Sequence, residues 1–346
     1  MTQKTIELNT EYQYPSFSII YETENLASVE LENIYRSLAS IAAQDTSPNQ
    51  AKEFLIIDGG DAPPEVIEQL KIKYPWIRVE HRPRIGYYEA KLLGAELATG
   101  DIIVYCDSDC VYEPQWLTCI LTTFAQNTEI NVVAGETSTP VRNAYELAIA
   151  FCYFFPRFSK QKNPYASKHY FLNAVAFRRD FLMQNPLPID LPLYRGNCSL
   201  HSYYFCDLKG EVIWKHPQAR ATHEPPTPDF IFWRYLLRGR DRVLGKALKQ
   251  RLKAGVDIKD SSKLSSSIQF SLAQKAYGIA QTLFQFKPIR PRQIRRVISQ
   301  DSHYLLLIPL ALPKMLWFEL LYTVGSVITY FQPDILLKLY AEKHIA

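Results

Sequence analysis

The stretch that most limits what this chain can fold into is Gly100-Asp101-Ile102-Ile103-Val104-Tyr105-Cys106-Asp107-Ser108-Asp109, an apolar, β-rich run that ends on two carboxylates one residue apart. Ile102 to Cys106 is short and bounded by a glycine and a turn, which predicts an interior strand of a parallel sheet. Ligands of open α/β sheets sit outside the carboxyl ends of the strands, so Asp107 and Asp109 are expected at the mouth of a crevice. Carboxylates so placed can share a divalent cation, and Mg²⁺ or Mn²⁺ takes oxygen ligands while keeping positions open for phosphate oxygens. The alternative is a solvated turn with two acids.

The sequence before this stretch alternates strand and helix patterns. Phe17-Ser18-Ile19-Ile20-Tyr21 predicts a first strand, followed by Glu22-Thr23-Glu24-Asn25 and a helix carried by Leu31, Ile34, Leu38 and Ile41. Phe54-Leu55-Ile56-Ile57 predicts a second strand ending at Asp58-Gly59-Gly60-Asp61, with Val66, Ile67, Leu70 and Ile72 marking the next helix. Ile77-Arg78-Val79-Glu80 is a third, and Gly86 opens a helix through Ala90, Leu93, Leu97 and Ala98. Such alternation makes a right-handed, mostly parallel sheet.

Length and composition allow one large α/β core, with 346 residues of which 47% are hydrophobic. Residues 1–100 hold 9 Lys and Arg against 15 Asp and Glu, whereas residues 201–300 hold 19 against 7, so the later part calls for an anionic partner. Six cysteines show no paired metal spacing and the start Met1-Thr2-Gln3-Lys4-Thr5 is polar, which leads to the expectation of reduced thiols in a cytosolic compartment.

Taken together, the second strand ending in Asp-Gly-Gly, the Gly-started helix closing with Leu97-Ala98-Thr99-Gly100-Asp101, and Asp107-Ser108-Asp109 followed by Glu113-Pro114 resemble the family 2 glycosyltransferases of the GT-A fold, in particular membrane-associated bacterial members. The resemblance covers roughly residues 15–245. It implies that Asp58 contacts the base of a nucleotide-sugar donor and that Asp107 and Asp109 hold ribose and a diphosphate-bound Mg²⁺ or Mn²⁺. Such an ion, as a Lewis acid, stabilises the departing nucleoside diphosphate most in the transition state. Asp58 can equally cap the following helix. Glu22, in the loop after the first strand, and Lys91, on the Gly-started helix, are further donor-side candidates, with a solvated lysine as the alternative for Lys91.

Phe171-Leu172-Asn173-Ala174-Val175-Ala176-Phe177-Arg178-Arg179-Asp180 resembles the family strand that precedes the acceptor loop. An inverting transfer needs a base for the acceptor hydroxyl. The resemblance implies an Asp in the next segment, but the chain reads Tyr194-Arg195-Gly196-Asn197-Cys198-Ser199-Leu200-His201, leaving Asp190 and His201 as candidates beside plain structural roles. Ala219-Arg220-Ala221-Thr222-His223 resembles the strand that ends in a histidine, so His223 is a candidate third metal ligand, against a satisfied structural histidine. Arg234, or Arg238, resembles the mobile arginine on the acceptor side and could neutralise the diphosphate.

From Phe230 to Lys253 there are eight Lys or Arg and one Asp among aromatic and aliphatic residues at helical spacing, the pattern of a helix on anionic lipid. Its aromatics form no stacking sheet, so nucleic acid is not the expected partner. Residues 254–266 read as a flexible Ser-rich link, and Lys287-Pro288-Ile289-Arg290-Pro291-Arg292 with Arg295 and Arg296 as a second basic cluster. Tyr304 to Phe331 is the longest hydrophobic stretch; Lys314, Glu319, Pro309 and Pro313 favour a re-entrant or interfacial helical pair over a clean span, with a packed soluble helix as the alternative. The expectation is a GT-A domain over 1–253 and a membrane-associated helical region over 254–346. The whole is expected to act as a metal-dependent inverting glycosyltransferase at the cytoplasmic face of a membrane, in polysaccharide or glycolipid synthesis. A nucleotide-sugar-binding scaffold without a base and a nucleotidyltransferase are the competing readings.

Overall fold

The computed structural model describes residues 13–28, 31–152, 158–265, 267–284, 295, 298–299 and 301–345. Strands β1 (Phe17–Glu22), β2 (Phe54–Asp58), β3 (Ile77–His81) and β4 (Ile102–Asp107) form where the apolar runs predict them. They alternate with α1 (Glu32–Ala42), α2 (Pro64–Lys73) and α3 (Tyr87–Leu97). Ile19, Tyr21, Ile102 and Val104 pack into the cluster on one face of the sheet, and Ile20, Ile103 and Tyr105 into the cluster on the other. Coverage on both faces is why β1, β2 and β4 are apolar along nearly their whole length, whereas the edge strand β3 alternates with Arg78 exposed.

The remaining strands are β5 (Cys110–Tyr112), β6 (Val132–Ser138), β7 (Tyr165–Ser167), β8 (Ala174–Arg178) and β9 (Ile213–His223). The sheet runs β3-β2-β1-β4-β8-β6-β9-β5, with β7 on β9. Only its first half is uniformly parallel: β8 enters antiparallel between β4 and β6, and β5 and β7 also pair antiparallel with β9, so the sheet is mixed. The chain order reverses beside β1, which lies between β2 and β4 with all three parallel. Glu22, Asp58 and Asp107 therefore end three adjacent strands at the switch point where such sheets bind ligands.

Helices α4 (Trp116–Gln126), α5 (Ala144–Cys152), α6 (Arg179–Gln184) and α7 (Asn197–Ser202) flank the sheet, and α8 (Pro228–Lys253) leads to a helical layer. Residues 254–266 are not simply a link. Ile258 and Leu264 are buried beside Leu248 and Leu252, and Ser261–Ser265 forms α9. After α10 (Leu272–Phe284), the basic cluster at 287–296 lies outside the described residues except for Arg295.

Tyr304–Phe331 is one continuous helix through Pro309 and Pro313, followed by a last helix, Ile335–Ile345. The break expected inside 304–331 is absent: the helix runs on through both prolines, which lie four residues apart on its exposed side, while its other side is held by packing. Ala311, Met315, Phe318 and Leu321 fill a core shared with α5 and α8. The crossing with α8 is close: a Cβ on Gly325 would overlap the Leu236 carbonyl, one on Gly239 would overlap the Tyr322 carbonyl, and the Ser326 hydroxyl donates to the Gly239 carbonyl at 3.0 Å. The opposite side exposes Leu306 (75%), Leu310 (62%) and Trp317 (48%) with Lys314 among them, so this helix is largely apolar on its unpacked side as well.

Candidate functional site

Three strand ends build the floor. The side chain of Asn25, just past β1, donates to Glu22 Oε1 at 2.9 Å and to Asp107 Oδ2 at 3.0 Å, tying the ends of β1 and β4 together. Tyr87, at the start of α3, donates to the same Asp107 oxygen at 2.8 Å. Lys91, one helical turn on, is fully buried with Nζ 2.6 Å from Asp107 Oδ1, and also donates to the Cys106 carbonyl. Burial alone would lower the Lys91 pKa, but the Asp107 and Glu22 carboxylates outweigh it and hold it above the ordinary value. Burial likewise pushes the Glu22 carboxyl well up, against the pull of Lys91. Lys91 is thus neither solvated nor open to a phosphate. It is the counter-ion beneath Asp107, which corrects both sequence expectations for it.

Asp58 accepts from the Thr23 hydroxyl at 2.9 Å and the Gly60 amide at 3.1 Å on one oxygen, and faces His81 Nδ1 at 2.8 Å with the other. It caps its own turn, not α2, which starts at Pro64 after Pro63 with no side-chain cap.

Asp109 and His223 meet at the next strand junction. Cys110 and His223 are register partners across β5 and β9, which brings His223 Nε2 to 3.0 Å from Asp109 Oδ2 and Cys110 Sγ to 3.4 Å from Asp109 Oδ1. His223 Nδ1 lies 2.7 Å from the Glu224 carbonyl, which can only accept, so Nδ1 carries a hydrogen. Nε2 then presents its remaining site to a carboxylate oxygen, a pair that needs a proton or a metal ion between its members. The imidazole outweighs the effect of burial and holds the Asp109 carboxyl below its ordinary range. Asp109, Cys110 and His223 place one ligand atom each within 4.8 Å of one another, and a carboxylate, an imidazole and a backbone-oriented tautomer suit a divalent transition ion such as Mn²⁺.

Over this floor lies a cleft of about 420 Å³. Asn25, Tyr87, Asp107, Asp109, Arg195 and His223 line it, with Arg234 and Arg238 of α8 on the far wall. Arg195 was missed by the sequence reading. Its guanidinium pairs with Glu24, donates to Asn25 Oδ1 at 3.1 Å and stacks 4.0 Å from the Tyr87 ring centre. Glu24 more than offsets the effect of burial, so the Arg195 pKa is raised and its charge is fixed. Its loop is anchored by buried Asp241 of α8, whose carboxylate accepts from the Tyr194 and Arg195 amides at 2.8–3.0 Å. The single Asp within the basic run 230–253 was the one available signal.

Neither candidate base reaches the cleft. His201 is buried between the Tyr170 hydroxyl and the Asn185 carbonyl, each at 2.7 Å, and burial lowers its pKa to about 4, making it a core histidine. Asp190 is exposed on a loop with φ of 56° and does not line the cleft. Among the described lining residues, the only carboxylates are Asp107 and Asp109. Glu22 is wholly buried behind Asn25, whereas Arg234 lines the cleft with its guanidinium 5.4 Å from the Tyr194 ring centre.

Comparison with known proteins points to the same family and fold. Residues 27–184 match the family model described as glycosyl transferase family 2, so the resemblance read from Asp58 and the Asp107–Asp109 pair is borne out. A curated relative, glycosyltransferase AglE of Haloferax volcanii, is 31% identical over 126 residues, which are 35% of this chain and 39% of the relative. The match thus spans well under half of that protein. The mannosyltransferase PcManGT from Pyrobaculum calidifontis, solved with GDP-Man and Mn²⁺, superposes with a TM-score of 0.55 at 15% identity over 92% of this chain and 88% of its own. GalNAc-T7, solved with UDP, GalNAc and Mn²⁺, gives 0.52 at 16% identity over 73% of this chain and 53% of its own. The fold is GT-A.

Proposed function

From the family 2 glycosyltransferase pattern of residues 27–184 and the GT-A fold around it, we propose that this protein transfers a sugar from a nucleotide-sugar donor with inversion, using a divalent cation at Asp109 and His223. The observation that carries the reading is Asp109 held against the Nε2 of an oriented histidine, beside Asp107 and Arg195 in one cleft. When bound, the ion supplies Lewis-acid stabilisation of the leaving diphosphate. Asp107 is fixed by Lys91, Asn25 and Tyr87 for the ribose, while Arg195 carries a permanent charge toward the diphosphate and Asp241 keeps its loop in place. Titration with Mn²⁺ and a panel of nucleotide sugars, followed by release of nucleoside diphosphate, tests the reading. Asp109→Ala is expected to abolish Mn²⁺ uptake and turnover together; a variant that keeps both sinks it.

A second reading, a donor-binding protein without turnover, is favoured by the burial of His201 and the exposure of Asp190; metal-dependent donor binding without product would support it. From the exposed apolar side of Tyr304–Phe331, with Lys314 among its residues, we further propose residence on an anionic membrane surface. Flotation with phosphatidylserine vesicles checks this: Leu306→Glu with Leu310→Glu is expected to leave the protein unbound, and equal flotation of parent and variant argues against it.

A further inference from the structure

Arg240 of α8 is fully buried, yet it is not among the residues that line the cleft. Its Nε donates to the Pro333 carbonyl at 2.6 Å, in the turn between the long apolar helix and the last helix. Its Nη1 donates to Asp241 Oδ1 at 3.2 Å, while Nη2 makes no hydrogen bond among the described residues and lies 3.7 Å from Asp334 Oδ1. Burial opposes both charges, pushing the Arg240 pKa down and that of Asp241 up. Well-packed apolar side chains would stabilise such a core about as well as an ion pair does. What the pair adds is direction. Asp241 accepts from the Tyr194 and Arg195 amides at 2.8–3.0 Å, Arg195 donates to Asn25 Oδ1 at 3.1 Å, and Asn25 donates to Asp107 Oδ2 at 3.0 Å. An unbroken run of hydrogen bonds thus leads from the Pro333 turn to the floor of the cleft.

From this arrangement we propose that Arg240 is a positioning residue for the donor: it ties Asp241 to the Pro333 turn and so sets the Arg195 guanidinium at the cleft. The packing of the two C-terminal helices then governs how tightly the nucleotide is held. This deepens the glycosyltransfer reading and rests on it. Two further contacts make the tie stiff. Gly239, the residue before Arg240, meets the long helix with no room for a Cβ against the Tyr322 carbonyl, so the Arg240 backbone cannot slide along that helix. Tyr340 of the last helix packs edge-on against Tyr194, with ring centres 4.9 Å apart and hydroxyls 3.0 Å apart, which props the same loop from a second side. Coupling between separated sites is carried by contiguous packed and hydrogen-bonded groups of this kind. A lysine in place of Arg240 would keep the charge but has no planar fork to hold the carbonyl and the carboxylate together.

The test compares the full-length parent with Arg240→Gln and Arg240→Lys by two measurements. Amide hydrogen exchange without ligand reads the loop itself, and calorimetric titration with Mn²⁺ alone, then with GDP and with UDP in the presence of Mn²⁺, reads the cleft. Arg240→Gln is expected to speed exchange at residues 194–195 about tenfold and to weaken nucleotide binding about tenfold, the loss of one hydrogen bond to a charged group. Mn²⁺ affinity should stay at the parent value, because Asp109 and His223 are held by β5 and β9. Arg240→Lys leaves a cation beside Asp241, so it should fold even where the Gln variant does not, and should show the same two changes to a smaller degree. Exchange that quickens only in α8 and at 333–334, with residues 194–195 and nucleotide affinity as in the parent, overturns the proposal and leaves Arg240 a packing residue. Equal losses of Mn²⁺ and nucleotide binding overturn it too, since they mark general damage to the site. A parent that binds neither GDP nor UDP would instead refute the glycosyltransfer reading, and exchange at 194–195 would still decide whether Arg240 sets the loop.

Discussion

Lys91→Met removes the cation buried beneath the strand ends and leaves Asp107, 3% exposed, without its ion-pair partner and Glu22, 0% exposed, with only the more distant Arg195 charge. Breaking a buried ion pair from one side costs about 3–5 kcal/mol, because the remaining charge stays out of water. At about 2 °C per kcal/mol for a chain of this size, the melting temperature should fall by roughly 6–10 °C. The loss should also depend on pH. Glu22 has a raised pKa in the fold, through burial first, and losing Lys91 raises it further. A carboxyl with a raised folded pKa contributes stability below its unfolded value, near 4.5, and loses it as pH rises through the folded value, so the deficit of the variant should be larger at pH 8 than at pH 5. Thermal and urea unfolding at both pH values, with Glu22→Gln added to the variant, provide the assay. The second substitution should restore part of the loss, with a coupling of about 1–3 kcal/mol. A Lys91→Met protein that melts within about 2 °C of the parent at pH 8 refutes the counter-ion role.

His201 should govern part of the acid response. With a pKa of about 4 in the fold against 6.5 outside it, its contribution is fully present above pH 6.5 and declines as pH falls to about 4, a loss of about 3 kcal/mol that His201→Gln should remove from urea titrations; an unaltered pH dependence counts against its burial. Gly325→Ala drives a Cβ into the Leu236 carbonyl, where backbone has little room to give, and should lower the urea midpoint by about 1–3 kcal/mol equivalent; an unchanged midpoint shows the seam to be looser than described.

Strand and helix positions from Phe17 to Asp109 were legible because each is set by local periodicity and a turn residue, and a carboxylate at a strand end lies at the sheet edge whichever neighbours the strand acquires. That logic placed Asp58, Asp107 and Asp109 before any contact was known. The partners of these residues were not legible. Lys91 was read as a donor-side cation or a solvated lysine, since the sequence does not say which face of α3 turns toward β4, and in the fold its side chain is fully buried. His201 sat where a base was sought, but packing against Tyr170 and Phe205 put its ring in the core.

The sequence by itself determined the first four strands, their acidic ends and the apolar character of 304–331, because these follow from side-chain pattern along a few residues, whereas the continuity of that last helix came only with the structure. Only the tertiary structure decided that β8 inserts antiparallel, that Arg195 crosses about 170 positions of chain to join Glu24 and Asn25, and that Asp241 of α8 anchors its loop. Those contacts join residues far apart in the chain, and their geometry is set by how whole elements pack, which no local pattern encodes.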